Sequence, residues 1–311
     1  MLPLASPGPQ IRSQHSQLHV EFDEETGILW ERMAPNARPC YNEPLLKEIL
    51  EFERRLESGV FADRGGLHEI VAVVFASAVP GVYNLGGDLA TFVDCIQRKD
   101  REALHRYARL CIDNIWQRYQ HFNRESLVTI ALIQGRAYGG GLEGALPADF
   151  IIAEKGVRIA LPESTFNLFP GMGAQSFLSR KLGEGLANKI IFSGQAYTSE
   201  EMYEMNVVDF LCEAGEGEAF VEQFVRQTRR KARTLTSLRR ARRFINPVSH
   251  EELIHVVDVW VDACLEAGPN ELKLMKRYAE GQSALSASSR QVNGDLVTSA
   301  ATEAIRKAAV K

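Results

Sequence analysis

Two glutamates stand where short regular segments meet glycine or proline. Glu143 ends the segment Gly-Gly-Gly-Leu-Glu at 139–143, and Glu163 ends Leu-Pro-Glu at 161–163. A pair of carboxyl groups can move protons to and from a substrate, and exposed glycine N–H groups can hold a carbonyl oxygen on which negative charge develops. This combination predicts acid–base chemistry beside a polarised carbonyl, and a thioester carbonyl fits it best.

The neighbours of Glu143 predict that this carboxyl is buried. Leu142 precedes it, and the next four residues are Gly, Ala, Leu and Pro. A buried carboxyl is costly unless it is used, and burial raises its pKa toward the range of a general acid. For either glutamate taken alone, an ordinary solvated side chain is the competing interpretation. The two together favour a catalytic pair, Glu143 and Glu163.

Glycines in and before these segments could supply the N–H donors. Gly140 lies near the start of a predicted helix, where N–H groups lack partners within the helix and the helix dipole favours negative charge. Gly87, in the segment Asn-Leu-Gly-Gly-Asp at 84–88, could supply a second donor. Asp88 is predicted to cap the following helix rather than to act in catalysis. A tight strand-to-helix turn is the competing explanation for the glycines at 139–141.

The glycines at 139, 141 and 144 also match the spacing G-x-G-x-x-G of dinucleotide-binding folds. That motif requires a full helix and then a second strand that ends in an acidic residue. Here Pro147 interrupts the helical pattern, and a strand-like run begins too early, at Phe150. We therefore do not predict a dinucleotide site. The absence of a Gly-x-Ser-x-Gly elbow also argues against a serine hydrolase.

The composition is ordinary for a soluble globular protein. The 311 residues are 45% hydrophobic and 24% charged, and the net charge of −4 gives no reason to expect nucleic-acid binding. Five scattered cysteines and seven unclustered histidines predict a reducing compartment and no metal site. The N-terminus lacks a signal-peptide pattern, and no apolar run is long enough to span a membrane. We therefore expect a cytoplasmic protein.

Hydrophobic periodicity predicts an α/β fold, with strands and helices alternating up to about residue 165 and helices dominating afterwards. The expected elements are a hairpin over 18–33, a helix from Pro44, a strand at 70–75, a helix over 100–121, and strands at 127–133, 150–153 and 157–161. We divide the chain into a flexible arm at 1–16, a core at 17–200, a helical region at 201–282 and a flexible tail at 283–311.

Residues 226–243 carry nine Arg and Lys side chains in an otherwise near-neutral chain. Most charge runs are solvated helix faces, and that interpretation stays open here. The functional interpretation is a landing site for an anionic carrier, which could be the phosphates of coenzyme A (CoA) or an acidic acyl carrier protein (ACP).

Three blocks of the sequence resemble the crotonase (enoyl-CoA hydratase/isomerase) superfamily, and the resemblance runs over about residues 18–280. The block Tyr-Asn-Leu-Gly-Gly-Asp at 83–88 is similar to the first oxyanion-hole loop, whose donor maps to Gly87. The block at 135–143 is similar to the second loop, whose donor maps to Gly140. Residues 162–173 resemble the segment that bears the second hydratase glutamate, here Glu163. Because both acids are present, the resemblance implies hydration or dehydration rather than simple isomerisation.

The resemblance also implies a ββα superhelix with a helical C-terminal region that packs a homotrimer or hexamer. It implies a substrate carried as an acyl-ACP or acyl-CoA thioester, with no other cofactor and no metal. We expect Gly86, Leu142, Met172 and Gly173 to contact the substrate, together with helix residues between 100 and 121.

Within the superfamily, the sequence is most similar to the diffusible signal factor (DSF) synthases. The matching strings include Asn-Leu-Phe-Pro-Gly-Met-Gly-Ala at 167–174 and Trp-Val-Asp at 260–262, whereas Tyr83 stands where we expect Phe. This similarity implies dehydration of a 3-hydroxyacyl-ACP and hydrolysis of the thioester, giving a cis-2-unsaturated fatty acid for quorum sensing, and a signal-sensing regulator as partner. Two alternatives stay open: a plain enoyl-CoA hydratase/isomerase acting on CoA thioesters, and a non-catalytic module that binds a regulator.

Overall fold

The computed structural model describes residues 16–58, 60–63 and 66–291. Apart from Ser16, the predicted N-terminal arm lies outside the described residues, as does the predicted tail beyond Gln291. The described strands are β1 (Leu18–Asp23), β2 (Ile28–Met33), β3 (Val60–Asp63), β4 (Gly66–Glu69), β5 (Ala72–Ser77), β6 (Val82–Asn84), β7 (Val128–Ile133), β8 (Arg136–Tyr138), β9 (Phe150–Glu154), β10 (Arg158–Ala160), β11 (Ala196–Thr198) and β12 (Phe210–Cys212).

The described helices carry most of the C-terminal half. They are α1 (Glu43–Arg55), α2 (Leu89–Arg98), α3 (Arg101–Tyr119), α4 (Gly140–Glu143), α5 (Ala174–Leu182), α6 (Glu184–Ser193), α7 (Ser199–Glu204), α8 (Gly217–Arg229), α9 (Ala232–Ile245), α10 (His250–Leu265) and α11 (Pro269–Gln291). Short 3₁₀ turns occupy Leu56–Ser58, His121–Asn123 and Pro162–Phe166.

A six-stranded sheet forms the centre of the fold, in the order β1-β2-β5-β7-β9-β12. The hairpin β1–β2 is antiparallel, as its turn sequence predicts, and every other neighbouring pair is parallel. All side chains of β7 are buried, and those of β5 are buried up to its last residue. Such continuous apolar runs fit strands that are covered on both faces. The predicted mixed α/β class is confirmed.

A second, four-stranded sheet in the order β11-β10-β8-β6 positions the candidate catalytic residues. Its strands β6, β8 and β10 are mutually parallel, so their carboxyl ends lie at the same edge. Gly86 and Gly87 follow β6, the glycines at 139–141 follow β8, and Glu163 follows β10. Three segments that are far apart in sequence therefore meet at one sheet edge.

Local capping explains where several of these elements begin and end. The Asp88 side chain accepts a hydrogen bond from Thr91 N–H and caps α2, as predicted. Thr198 and Glu201 form a capping box at the start of α7. That helix ends at Glu204, and Asn206 adopts a left-handed conformation with φ of 62°.

The C-terminal part adds more than a helical bundle. Strand β12 lies within the predicted helical region 201–282, yet it pairs with β9 and completes the six-stranded sheet. Helix α11 continues past residue 282 to Gln291 and packs against α2 and the 3₁₀ turn at Pro162–Phe166. Along the part of the chain that the structure covers, no helix combines the length and apolarity needed to cross a bilayer.

Candidate active site

A cavity of about 870 Å³ opens at the sheet edge where β6, β8 and β10 end. Its walls come from the three loops that follow these strands, from α3, and from α11 on the far side. Both predicted glutamates, Glu143 and Glu163, line it, and so do both predicted donors, Gly87 and Gly140. The four residues that the sequence singles out for chemistry therefore share one cavity.

The backbones of the two glycine loops touch. A Cβ atom added to Gly140 would lie 3.3 Å from the Gly87 nitrogen and 2.7 Å from Met172 Sδ. A Cβ atom on Gly86, whose φ is +88°, would lie 3.0 Å from the Gly140 nitrogen. Only glycine allows this approach without displacing a neighbour. The loops thus bring the Gly87 and Gly140 N–H groups together at the cavity wall.

Neither of these two N–H groups donates to a protein acceptor among the described residues. Gly140 is the first residue of α4, where a helix leaves its N–H groups without partners. Two free N–H groups beside a cavity can bind a carbonyl oxygen and stabilise negative charge that develops on it. The arrangement fits the predicted oxyanion hole.

Glu143 is buried on α4, and one of its two carboxylate oxygens accepts hydrogen bonds from the backbone. Oε1 accepts hydrogen bonds from Met172 N–H at 2.7 Å and from Ala174 N–H at 3.0 Å. Burial raises the pKa of Glu143 to about 7, and these two backbone donors oppose the rise. Hydrogen bonds to a carboxylate favour its ionised form. Glu143 can therefore serve as a base near neutral pH.

Glu163 lies in the 3₁₀ turn after β10, and its carboxyl has fewer hydrogen-bond partners than that of Glu143. Its Oε2 is buried and has no hydrogen-bond partner in the described part of the chain. Burial, reinforced by the nearby charge of Glu143, raises the pKa of Glu163 well above its usual range. A Cβ atom on Gly139 would lie 2.5 Å from Glu163 Oε1. Any larger residue at 139 would therefore collide with this carboxyl in its observed position.

The two carboxyls differ in the way that acid–base catalysis requires. Glu143 has donors that stabilise its anion, whereas Glu163 is pushed toward its protonated form. Two titratable groups whose environments separate their pKa values are suited to act as base and acid. Because the two carboxyls interact, a singly protonated pair is favoured near neutral pH, and the directions of the two pKa shifts favour the proton on Glu163.

Of the four predicted substrate contacts, Gly86 and Met172 line the cavity, whereas Leu142 and Gly173 lie outside its lining. Leu142 is fully buried in the hydrophobic core, because successive side chains of the short helix α4 point in different directions. Gly173, with φ of +111°, forms the turn between Met172 and Ala174 that aims both N–H groups at Glu143.

Other cavity walls fall partly within the sequence predictions. Helix α3 contributes Tyr107, Ala108 and Cys111, as expected for the helix over 100–121. The contribution of α11, including Met275, Tyr278, Gln282 and Leu285, was not predicted. Apolar periodicity is weak in this last helix, and it gave no signal that these residues face a site. Over the described ranges, no three His, Cys, Asp or Glu side chains converge to hold a metal ion.

The basic stretch at 226–243 lies on α8, α9 and the turn between them, away from the cavity lining. Arg239 forms an ion pair with the buried side chain of Asp149, and its Nε lies 2.6 Å from Asp149 Oδ1. Most of the other basic side chains of the stretch are exposed, namely Arg226, Arg229, Arg230, Lys231, Arg233, Arg240 and Arg242. The stretch presents a cationic surface.

Comparison with known proteins places this site in a family. The profile of the family described as Enoyl-CoA hydratase/isomerase matches residues 60–281. Curated relatives include a probable mitochondrial enoyl-CoA hydratase 2 of Arabidopsis thaliana, 28% identical over 62% of this chain and 60% of that protein. They also include enoyl-CoA hydratase domain-containing protein 2 of Mus musculus, 32% identical over 59% of this chain and 56% of that protein. The matches thus span about 60% or less of these relatives' length.

Solved structures agree on the fold. The enoyl-CoA hydratase of Bacillus halodurans superposes with a TM-score of 0.69 over 84% of this chain and 98% of its own, at 19% identity. DspI of Pseudomonas aeruginosa gives a TM-score of 0.63 over 81% of this chain and 98% of its own, at 25% identity. Since the family profile covers well over half of the sequence, the chain belongs to the enoyl-CoA hydratase/isomerase family.

Proposed function

We propose that this protein adds water to, or removes it from, the C2–C3 bond of an acyl thioester, acting as an enoyl-CoA hydratase. The observation that carries the proposal is that two carboxyls, Glu143 and Glu163, line the same cavity as two backbone N–H groups that have no protein acceptor among the described residues. An isomerase needs only to move a proton, whereas hydration also needs a base for water.

In the hydration direction, the Gly87 and Gly140 N–H groups donate hydrogen bonds to the thioester carbonyl oxygen. The Glu143 carboxylate takes a proton from water while the water oxygen bonds to C3, and the C2–C3 π electrons move toward the carbonyl. The resulting enolate is stabilised by the two N–H groups, and one such donor is worth about 3 kcal/mol. Glu163 then gives its proton to C2. Dehydration is the reverse sequence.

The direct test is incubation of the purified protein with a series of trans-2-enoyl-CoA thioesters in ¹⁸O-labelled water. We expect loss of the conjugated enoyl absorbance and a 3-hydroxyacyl-CoA that carries one labelled oxygen, detected by mass spectrometry. A labelled 3-hydroxyl group identifies hydration, whereas a product with a shifted double bond and no label identifies isomerisation. Failure to hydrate any member of the series would contradict the proposal.

The dependence of activity on pH follows from the two carboxyl groups. Hydration requires ionised Glu143 and protonated Glu163, so kcat/KM should rise as pH increases through about 7, where Glu143 loses its proton. It should fall only at higher pH, where Glu163 loses its proton, because both burial and the Glu143 charge hold that pKa high. Measurement of kcat/KM across the neutral and alkaline range checks this. A profile that falls on passing upward through neutrality would contradict the assignment.

A variant of Glu143 measures how far the charge of this residue raises the pKa of Glu163. The charge of Glu143 is the second cause that raises the pKa of Glu163, after burial. Glu143→Gln removes that charge, so the pKa of Glu163 should fall. Titration of the Glu163 carboxyl by infrared difference spectroscopy, in parent and variant, measures the shift. An unchanged Glu163 pKa would show that the two carboxyls do not interact.

As a second candidate function, we propose the DSF-synthase reaction, on the support of the cationic surface formed by α8 and α9. A 3-hydroxyacyl-ACP would lose water across C2–C3, and a second water would then cleave the thioester, giving a cis-2-unsaturated fatty acid and free carrier thiol. Exposed arginines such as Arg229, Arg233 and Arg240 would suit an acidic carrier protein.

The two candidates give different products with different carriers. The protein is supplied with matched 3-hydroxyacyl-ACP and 3-hydroxyacyl-CoA, and extracted fatty acids are analysed by mass spectrometry. Free cis-2 acid from the ACP substrate supports the second candidate, and kcat/KM for ACP alone should fall in the variant Arg229→Glu/Arg233→Glu. Reversible hydration of the CoA substrate with no free acid would leave the hydratase as the function.

A further inference from the structure

Gln282 on α11 connects the last described helix to the first glycine loop. Its side-chain Nε2 donates to Leu85 O at 3.1 Å and to Gly87 O at 3.0 Å, and Leu89 N–H donates to its Oε1 at 3.4 Å. The residue is 6% exposed. A primary amide has two N–H donors, and both are used on this one loop.

These bonds fix the loop on both sides of the proposed oxyanion donor. The Gly87 N–H belongs to the peptide unit whose carbonyl is Gly86 O, and that oxygen accepts from Tyr41 N–H at 2.8 Å. In a trans peptide the N–H and C=O point in opposite directions, so the bond to Tyr41 aims the Gly87 N–H away from Tyr41. Gln282 holds the carbonyls of the two neighbouring peptide units, at Leu85 and Gly87.

Attachment of α11 to the fold does not require Gln282. Met275 of the same helix is fully buried, and the ring of Tyr278 packs edge-on against Phe166 at a centroid distance of 5.1 Å. The Gln282 amide is therefore a buried polar group that adds little apolar contact and whose hydrogen bonds all end on residues 85–89. Buried polar groups in such networks specify one local geometry.

We propose that Gln282 is a positioning residue, which orients the Gly87 N–H toward the thioester oxygen from the opposite end of the chain. The inference rests on the proposed function. It also makes α11 part of the catalytic unit, because the helix that walls the cavity through Met275 and Tyr278 also sets the oxyanion hole.

The test compares Gln282→Met and Gln282→Glu with Ser283→Ala. The first variant keeps side-chain length and loses all three bonds, and the second keeps an acceptor for Leu89 N–H and loses both donors. Ser283 is the next residue on α11 and is absent from the cavity lining, and its hydroxyl donates to Ala279 O of its own helix, so its variant is the control.

Each Gln282 variant should lose about tenfold to a hundredfold in kcat, with KM changed by less than about threefold, because misplacement of a transition-state donor acts on the chemical step. Ser283→Ala should match the parent. A second readout is the absorption of a bound 4-(dimethylamino)cinnamoyl-CoA, which moves to longer wavelength when its carbonyl is polarised. The red shift should be smaller in both Gln282 variants.

The possible outcomes distinguish a failure of the proposed function from a failure of the positioning role of Gln282. If the parent protein binds the cinnamoyl thioester without a red shift, the proposed function fails. If the parent shows the shift and the Gln282 variants show the same shift and the same kcat, the positioning role is overturned and the function stands. A loss confined to Tm or KM, or failure of both variants to fold, would show a purely structural role and also overturn it.

Discussion

Glu163→Gln is expected to lower kcat for hydration by about a hundredfold or more. The amide matches the carboxyl in shape but has no acidic proton to give to C2. Substrate binding should change little, because in the proposed mechanism the thioester oxygen is held by Gly87 and Gly140 rather than by this side chain. Steady-state kinetics with an enoyl-CoA that the parent hydrates measure the effect. Near-normal turnover by the variant would remove Glu163 from the mechanism.

The same substitution should leave the fold intact. Because the pKa of Glu163 is raised in the folded protein, folding at neutral pH requires uptake of a proton by this side chain. That cost is present above the ordinary glutamate pKa and disappears once the unfolded chain is protonated as well. The neutral amide avoids it. The Tm of the variant at neutral pH should therefore equal or exceed that of the parent.

Glu154→Gln is the matched control for that experiment. Glu154 is also a buried carboxyl, and its Oε1 accepts from Gln134 Nε2 at 2.9 Å and from Gly217 N–H at 3.1 Å. It lies outside the cavity lining. Its variant should keep kcat within about twofold of the parent, since it changes only packing and polar contacts remote from the substrate. An equal loss of activity in both variants would point to a general effect of removing buried carboxyls.

The sequence marked the residues that meet in the cavity because their signals are local. Glu143 stands in an apolar helix start beside three glycines, and Glu163 follows a proline at a strand end. The strands β6, β8 and β10 are parallel, so their carboxyl ends lie at the same sheet edge. The loops that carry these residues therefore meet there. The resemblance to the superfamily's two oxyanion-hole loops, rather than strand pattern alone, supplied the expectation that Gly87 and Gly140 act as a pair.

The features that sequence reasoning missed depend on long-range packing. Gln282 contacts residues 195 and 197 positions away, and nothing near it in sequence marks its partners. Leu142 and Glu143 are adjacent on a single helical turn, so one faces the core and the other the cavity. Composition and spacing did not show which of the two would face the substrate. Strand β12 was missed because three residues carry too short a pattern.

A buried charge network behind α4 was missed for the same reason. Arg118 of α3 lies 2.6 Å from Glu53 Oε1 and 2.7 Å from Glu31 Oε1, and all three residues are buried. The guanidinium also donates to Gly144 O at 3.3 Å, directly after Glu143. The remaining oxygens, Glu31 Oε2 and Glu53 Oε2, have no hydrogen-bond partner among the described residues.

Burial raises the pKa of Glu53 to about 8, and the pKa of Glu31 is raised as well, with Arg118 opposing both shifts. Two buried carboxyls therefore depend on one cation. A planar guanidinium can serve both carboxyls and a carbonyl at once, and an ammonium group cannot. We expect Arg118→Lys to be only a partial replacement, with a loss of stability smaller than that of a neutral side chain.

Arg118→Met is expected to lower the free energy of unfolding by about 3–5 kcal/mol above a pH of about 8, where Glu53 is ionised in the parent, because it leaves buried carboxylate charge without its cation. The control is Arg226→Met, which breaks an exposed pair with Glu25 of 3.0 Å and should cost less than about 1 kcal/mol. Urea unfolding of both variants measures the difference. A loss at Arg118 no larger than at Arg226 would mean that the buried network contributes little.

The stability loss in Arg118→Met should depend on pH, whereas the loss from a simple packing defect would not. Without the guanidinium, the pKa values of Glu31 and Glu53 in the folded state rise further above the ordinary value of 4.5, so folding takes up protons at neutral pH. The variant and the parent differ only where the parent's carboxyls are ionised, so the part of the difference that comes from Glu53 is lost as pH falls through its folded pKa of about 8. The stability difference between Arg118→Met and the parent should therefore shrink on acidification, whereas a cavity left by the lost side chain would cost the same at every pH.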